Sequence, residues 1–285
     1  MRINNSRFQI NYTNIQFGLL GADMQNISIQ GSGNFWSHVK NPVFISVILF
    51  IGWTIPAYCW AQAEVDMETG VVFVGRNDTR IPGDSGTKIS LSRDLSISPA
   101  PFFRLRVGYR IAKRHLITAL YAPLQVNARG SIDREVSFAG KRFPADTSLL
   151  AVYRFNSYRL TYRYSFFWED GLDLAAGFTA KIRDAETSLY GAKAGRKTNV
   201  GFVPLLNVHA AWRPNRGAFG IVLDADALAA PQGRAEDVLL AATWALRQEC
   251  ELRVGYRMVE GGADNDQVYS FAWFHYLVVG LGMSF

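Results

Sequence analysis

The residues able to do chemistry are sparse, and their spacing points to charge pairing before catalysis. Three of the four histidines follow residue 63: His115 in "AKRH", His209 in "LLNVHAAW" and His275 in "WFHYL". A nucleophilic set needs a hydroxyl or thiol beside a His that a third group orients. Neither G-x-S-x-G nor H-x-S-N-x-G occurs in the chain. His115 reads as part of a solvated turn, and His209 as a hydrogen-bonded residue two positions from Asn207. "EGGADND" gathers Glu260, Asp264 and Asp266, which could hold calcium. Its spacing departs from the EF-hand loop, so a solvated turn is the better reading. No catalytic residue, no metal site and no cofactor are expected.

The basic residues carry more information, because they recur at every second position. In "FRLRVGYRI" Phe103, Leu105, Val107, Tyr109 and Ile111 share one face, and Arg104, Arg106, Gly108 and Arg110 the other. In "YRLTYRYSFFW" Tyr158, Leu160, Tyr162, Tyr164, Phe166 and Trp168 oppose Arg159, Thr161, Arg163 and Ser165. "LRVGYRM" sets Leu252, Val254, Tyr256 and Met258 against Arg253, Gly255 and Arg257. Period two is the signature of a strand with two unlike faces. The hexapeptide LRVGYR occurs twice, at 105–110 and 252–257, an echo that a shared geometric demand explains as well as duplication does.

Composition agrees with a β protein. Of the 285 residues 49% are hydrophobic, 13% aromatic and only 19% charged, too apolar for disorder. After residue 60 no run approaches the ~20 apolar residues of a membrane-spanning helix. Val43 to Tyr58 is apolar throughout and is followed by "AQA" and Glu64. That is the secretory signal pattern, cut after Ala63. Tyr58 before Cys59 argues against a lipoprotein. The 42 residues upstream are unusually long for a signal, and Met24 offers another start. Residues 1–63 are therefore assigned to a leader and 64–285 to the folded domain. Losing the leader's three basic residues and one acidic residue takes the net charge from +6 to +4, which gives no reason to expect nucleic acid. Cys250 is then alone, so no internal disulfide is expected in an oxidising compartment.

Alternation alone does not say which face looks inward: a soluble sandwich buries the aromatics, and a membrane barrel turns them to lipid. Export, the bracketing of an aliphatic stretch by aromatics, and Trp168 and Trp212 beside the compact turns "EDG" and "RPNRG" favour the barrel. The last strand adds to this. Phe285, Met283, Leu281, Val279, Leu277, His275, Trp273 and Phe271 share a face, and the chain ends on an aromatic carboxylate. It resembles the C-terminal strand of Gram-negative outer-membrane β-barrels. The resemblance implies a cell outer membrane location, contact with outer-membrane lipid and lipopolysaccharide, and recognition by the barrel-assembly machinery through the strand ending at Phe285. Met283 stands where a Tyr would match better.

The fold expected is a closed antiparallel transmembrane β-barrel of about twelve strands, with eight to twelve compatible, in a monomer. Candidate strands run near 68–76, 86–96, 101–111, 115–127, 144–155, 158–168, 172–184, 198–212, 217–227, 236–247, 249–259 and 267–285. The apolar parity flips from Tyr153 and Phe155 to Tyr158 and Leu160, which predicts a two-residue hairpin at Asn156–Ser157. Alternation from the C-terminus then puts 185–197 outside but makes the long 128–143 segment periplasmic, where turns should be short. The lumen should be lined by Arg104, Arg106, Arg110, Arg154, Arg159, Arg163, Lys181, Arg183, Arg253 and Arg257, with His209, Asp173 and Glu251 on the same side. Buried charges must be paired, so a salt-bridged plug with a structural role is favoured over a narrow, Arg-lined, anion-leaning passage. The competing class is an outer-membrane enzyme acting on lipid or lipopolysaccharide.

Overall fold

A computed structural model describes residues 62–230 and 233–285. The predicted signal core at 43–58 lies outside them. Ten long strands form the wall: β1 (Gln62–Arg80), β4 (Ala100–Ile111), β5 (His115–Ala122), β9 (Ser148–Glu169), β10 (Leu172–Tyr190), β11 (Ala194–Trp212), β12 (Phe219–Ala230), β13 (Gly233–Arg247), β14 (Cys250–Asp264) and β15 (Tyr269–Ser284). Each pairs antiparallel with its neighbours, β9 closes on β10, and β15 closes on β1. Ala63 and Phe285 exchange backbone hydrogen bonds at the very end of that last seam. Outside the ring lie β2 (Ile89–Ser90), β3 (Ser96–Ile97) and β6 (Gln125–Ser131), and a separate hairpin of β7 (Val136–Phe138) and β8 (Lys141–Phe143). Among the described residues no helix is long and apolar enough to cross a membrane.

The ring has ten strands, not twelve. Residues 86–96 contribute only the two-residue β2. The segments 144–155 and 158–168 are one strand, β9, of 22 residues. There is no hairpin at Asn156–Ser157: Arg154, Phe155, Asn156 and Ser157 face Glu186, Ala185, Asp184 and Arg183 of β10 in unbroken register. The odd residues of β9 point inward along its length, from Leu149, Ala151 and Tyr153 to Arg159, Thr161, Arg163 and Ser165, all buried. What inverts is the solvent. At ~3.3 Å per residue and a tilt of ~40°, a strand of this length stands about 55 Å tall. The apolar belt of an outer-membrane barrel is only ~25 Å tall. Inside the belt, lipid takes the apolar face. Beyond it the outer face meets water, and Leu149, Ala151 and Tyr153 turn into a dry interior. The changeover is marked on the outside by a cross-strand hydrogen bond, 3.2 Å, from the Asn156 amide to Asp184.

Removing the hairpin also resolves the loop conflict. Gln62, Phe285 and the short turns at 112–114, 170–171, 213–218 and 248–249 share one end. The long connections 81–99 and 123–147 emerge at the other. Short turns are periplasmic and long loops extracellular in such barrels. The turn at Asp170–Gly171 shows how tightly the near end is specified. Both residues have positive φ, 52° and 79°, the backbone of the hairpin turn whose twist matches the strands. A Cβ on Gly171 would sit 2.0 Å from the carbonyl oxygen of Arg213.

One bulge re-aims a predicted lipid-facing residue. Ser165 faces Ala175 and Phe167 faces Leu174, so Phe166 is an extra residue in β9. The bulge flips the parity beyond it. Trp168 consequently lines the periplasmic mouth, its ring 4.9 Å from the Arg110 guanidinium. His115 is likewise not in a turn; it opens β5 and bonds the Tyr162 hydroxyl at 2.8 Å.

These assignments predict a contrast between two outward positions of one strand. Leu160→Arg, in the belt, should cost about 2–4 kcal/mol, and Asn156→Arg, at its rim, no more than about 1 kcal/mol. Urea refolding into lipid vesicles measures both; equal costs would place the belt wrongly.

Candidate functional site: an ion-pair lattice across the lumen

The centre of the lumen is filled by charge. Asp237 of β13 accepts hydrogen bonds from three arginines: Arg104 of β4 at 3.0 Å, Arg159 of β9 at 2.6 Å and Arg257 of β14 at 2.5 Å. Arg257 also donates to both carboxylate oxygens of Glu68 on β1, at 2.7 and 2.8 Å. Arg159 donates to Asp226 of β12 at 2.7 Å, and Thr179 of β10 donates to the same carboxylate. A second cluster lies toward the periplasm, where Arg163 donates to Asp224 at 2.7 Å and Arg106 approaches it at 3.4 Å. Asn207 joins the two clusters, its amide donating to Asp224 and Asp226 and its carbonyl accepting from Arg163.

Within each cluster the members meet because alternation puts them on the inner faces of different strands. Arg257 and Asp237 are only 2% exposed, so neither has bulk water to fall back on. An ion pair this deep gains little net stability over an apolar replacement, but removing one partner leaves the others uncompensated. The lattice thus acts chiefly as a set of ties fixing strands from opposite sides of the ring at one separation.

The predicted lining residues are divided among several settings, with Arg183 donating to Asn199. Arg104, Arg106, Arg159, Arg163 and Arg257 belong to the lattice. Arg253 pairs with Asp66 at 2.8 Å, Arg110 with Glu64 at 2.7 Å, and Glu251 with Arg213, all nearer the periplasmic mouth. Asp173 and His209 line a vestibule of about 580 Å³ at that mouth. The His209 ring nitrogen lies 3.4 Å from Asp224 without hydrogen-bond geometry. Lys181 points inward above the lattice with no carboxylate, its ammonium 5.0 Å from the Phe155 ring. Arg154 is a correction: it lies on the outer face beyond the belt, paired with Glu186 at 2.9 Å, because the hairpin that had turned it inward does not exist.

Sequence reasoning missed the four carboxylates that hold the lattice together, Glu68, Asp224, Asp226 and Asp237. A signal was present for two of them: in "VLDADAL" the acids alternate with small and apolar residues, as the arginines do on β4 and β9.

Beyond the lattice the interior turns apolar. Val72, Phe102, Tyr276, Phe274 and Tyr153 are all buried there, with Phe102 and Tyr276 meeting edge-on at 4.9 Å. The β7–β8 hairpin contributes Phe138 and Phe143 to the same buried cluster, with Leu189 of β10.

An apolar exterior, an ion-paired interior and a sheet closed on itself define an outer-membrane β-barrel of the Gram-negative type. No family model matches the chain, and no curated protein does. Among solved structures it is similar to the outer-membrane protease OmpT of Escherichia coli, at 11% identity and a TM-score of 0.52, over 82% of this chain and 99% of that one. It is also similar to Ail, the attachment invasion locus protein of Yersinia pestis (10% identity, TM-score 0.35, 78% and 99% covered), and to Neisserial surface protein A (13%, 0.31, 79% and 97%). At these identities the likeness is one of fold.

Replacing the shared acceptor should be severe. Asp237→Ala strands three guanidinium groups and is expected to destabilise the barrel by about 3–5 kcal/mol. A drop in the urea midpoint of vesicle-embedded protein measures it, and a shift below about 1 kcal/mol would show that the lattice does not tie the wall.

Proposed function

We propose that the protein is a monomeric integral outer-membrane barrel sealed along its axis, with a structural role and no through-pore. The observation that supports this reading most directly is the pairing of Arg104, Arg159 and Arg257 on Asp237, which joins strands across the lumen. The apolar stratum above it, with Phe138 and Phe143 of the β7–β8 hairpin, obstructs the same axis a second time.

An anion-leaning passage needs unpaired positive charge along its path. Here the five lattice arginines share the four carboxylates of Glu68, Asp224, Asp226 and Asp237. The lumen between belt and mouth is close to charge-balanced, so it offers an anion little attraction and much desolvation. In this reading the exterior contacts are outer-membrane lipid and lipopolysaccharide, and the strand ending at Phe285 is the part presented to the assembly machinery.

The test is electrical. Purified full-length protein in a planar bilayer at high salt should give no stable conductance steps, while showing heat-modifiable mobility on gels as evidence of a folded barrel. Reproducible anion-selective steps from the heat-modifiable species would overturn the sealed reading.

A further inference from the structure

The barrel wall carries a seam. β10 and β11 pair along their whole lengths, from Leu172 with Trp212 to Tyr190 with Ala194. On its other side β11 pairs with β12 only from Leu206 to Trp212, opposite Ala227 to Ile221. Beyond Leu206 the two strands part, and β12 continues with β13 alone. Among the described residues, 194–205 of β11 have no second partner strand. Pro204 sits at the parting point, as a residue that cannot donate to a ladder should. Val200 and Phe202 on the outer face are highly exposed and apolar, so the lower part of this edge faces the extracellular half of the belt. Lipid does not tolerate an open edge unless it borders a cavity.

Such a cavity lies directly behind it, about 390 Å³, walled by Phe155, Phe202, Val203 and Leu228 among others. Its charge is one-sided. Lys181, Arg183, Lys197 and Arg234 line it, and among the described residues no Asp or Glu does. Arg234 is paired with Glu260 away from the cavity, and Arg183 donates to Asn199, a neutral group. Lys181 is only 3% exposed and forms neither ion pair nor hydrogen bond with the described residues. Every lattice arginine just below touches at least one carboxylate. A buried ammonium left without one is costly, and the missing anion is absent from the wall of the cavity.

We propose that this cavity binds a single-chain amphiphile with an anionic head, carboxylate or monophosphate, held by Lys181 and Arg183, its acyl chain leaving through the β11–β12 seam into the outer leaflet. The volume is at the small end of the ~300–1,000 Å³ range of ligand pockets, which suits one head group and the start of one chain. The site lies beyond the lattice, so it is independent of whether the axis conducts.

Equilibrium binding to the full-length barrel in detergent micelles tests it, with radiolabelled hexadecanoate as probe and hexadecyl phosphate and hexadecanol as competitors. Saturable binding near one per barrel is expected, displaced by hexadecyl phosphate and at least about tenfold more weakly by hexadecanol. The two charged arms separate a fatty acid from a phosphorylated lipid as the source of the head group. Lys181→Met should weaken binding about tenfold or more, the worth of a charge-assisted hydrogen bond. It should leave the melting temperature unchanged or raised, because it removes an uncompensated buried charge. A photoreactive group at the chain terminus should label β11 or β12. Hexadecanol competing as well as hexadecanoate, unweakened binding by a folded Lys181→Met variant, or labelling confined to β1 and β4 would each overturn the proposal.

Discussion

Closure of the sheet is the constraint from which the rest of this structure follows. In hydrocarbon no water is available to an unpaired amide or carbonyl, so a sheet survives only when its first and last strands meet. Here they meet from Glu64 opposite Ser284 to Arg80 opposite Tyr269. Once the ring is closed, alternation leaves every strand with one face for lipid and one for the enclosed space. The aromatic and aliphatic residues of β9 and β15 are then outside by necessity, and the arginines inside.

The inside is a problem of its own, because a ten-stranded ring encloses too much charge to leave it unpaired and too little room to solvate it freely. The chain solves this in layers. Near the periplasm, Arg110 with Glu64 and Arg253 with Asp66 remain partly wetted. At mid-depth, Asp237 and Glu68 gather arginines from several strands. Beyond the belt, where the exterior meets water, the interior becomes an ordinary apolar core of Val72, Phe102, Phe274 and Tyr276. Where β11 parts from β12 these layers do not close, and there Lys181 and Arg183 are found without an ion pair among the described residues.

The layered interior also accounts for which residues could be recognised from sequence. Arg104, Arg106, Arg159, Arg163, Arg253 and Arg257 announce themselves, being large charges interrupting an apolar alternation. Their acceptors do not. Glu68 lies 189 positions from Arg257, and Asp237 lies 133 from Arg104 and 78 from Arg159. No local pattern joins residues so far apart. Arg154 was misplaced by the same kind of ignorance: its neighbours' polarity inverted because the medium outside changed, and a change of medium reads in sequence like a change of strand.

By itself the sequence determined that the wall is made of two-faced strands, that residues such as Tyr158 and Leu160 share an apolar face opposite the arginines, and that the same alternation continues through Leu277 to Phe285. Those properties are local, set by a side-chain period of two and by the chemistry of single residues. The tertiary structure alone decided that ten strands close the ring, that Tyr153 to Tyr158 lie on one unbroken strand, which carboxylate answers which arginine, and where the wall opens. Each of these depends on how high a strand rises relative to the membrane and on which distant strand stands across the lumen. Both are set by closing the whole ring, and no segment contains that information alone.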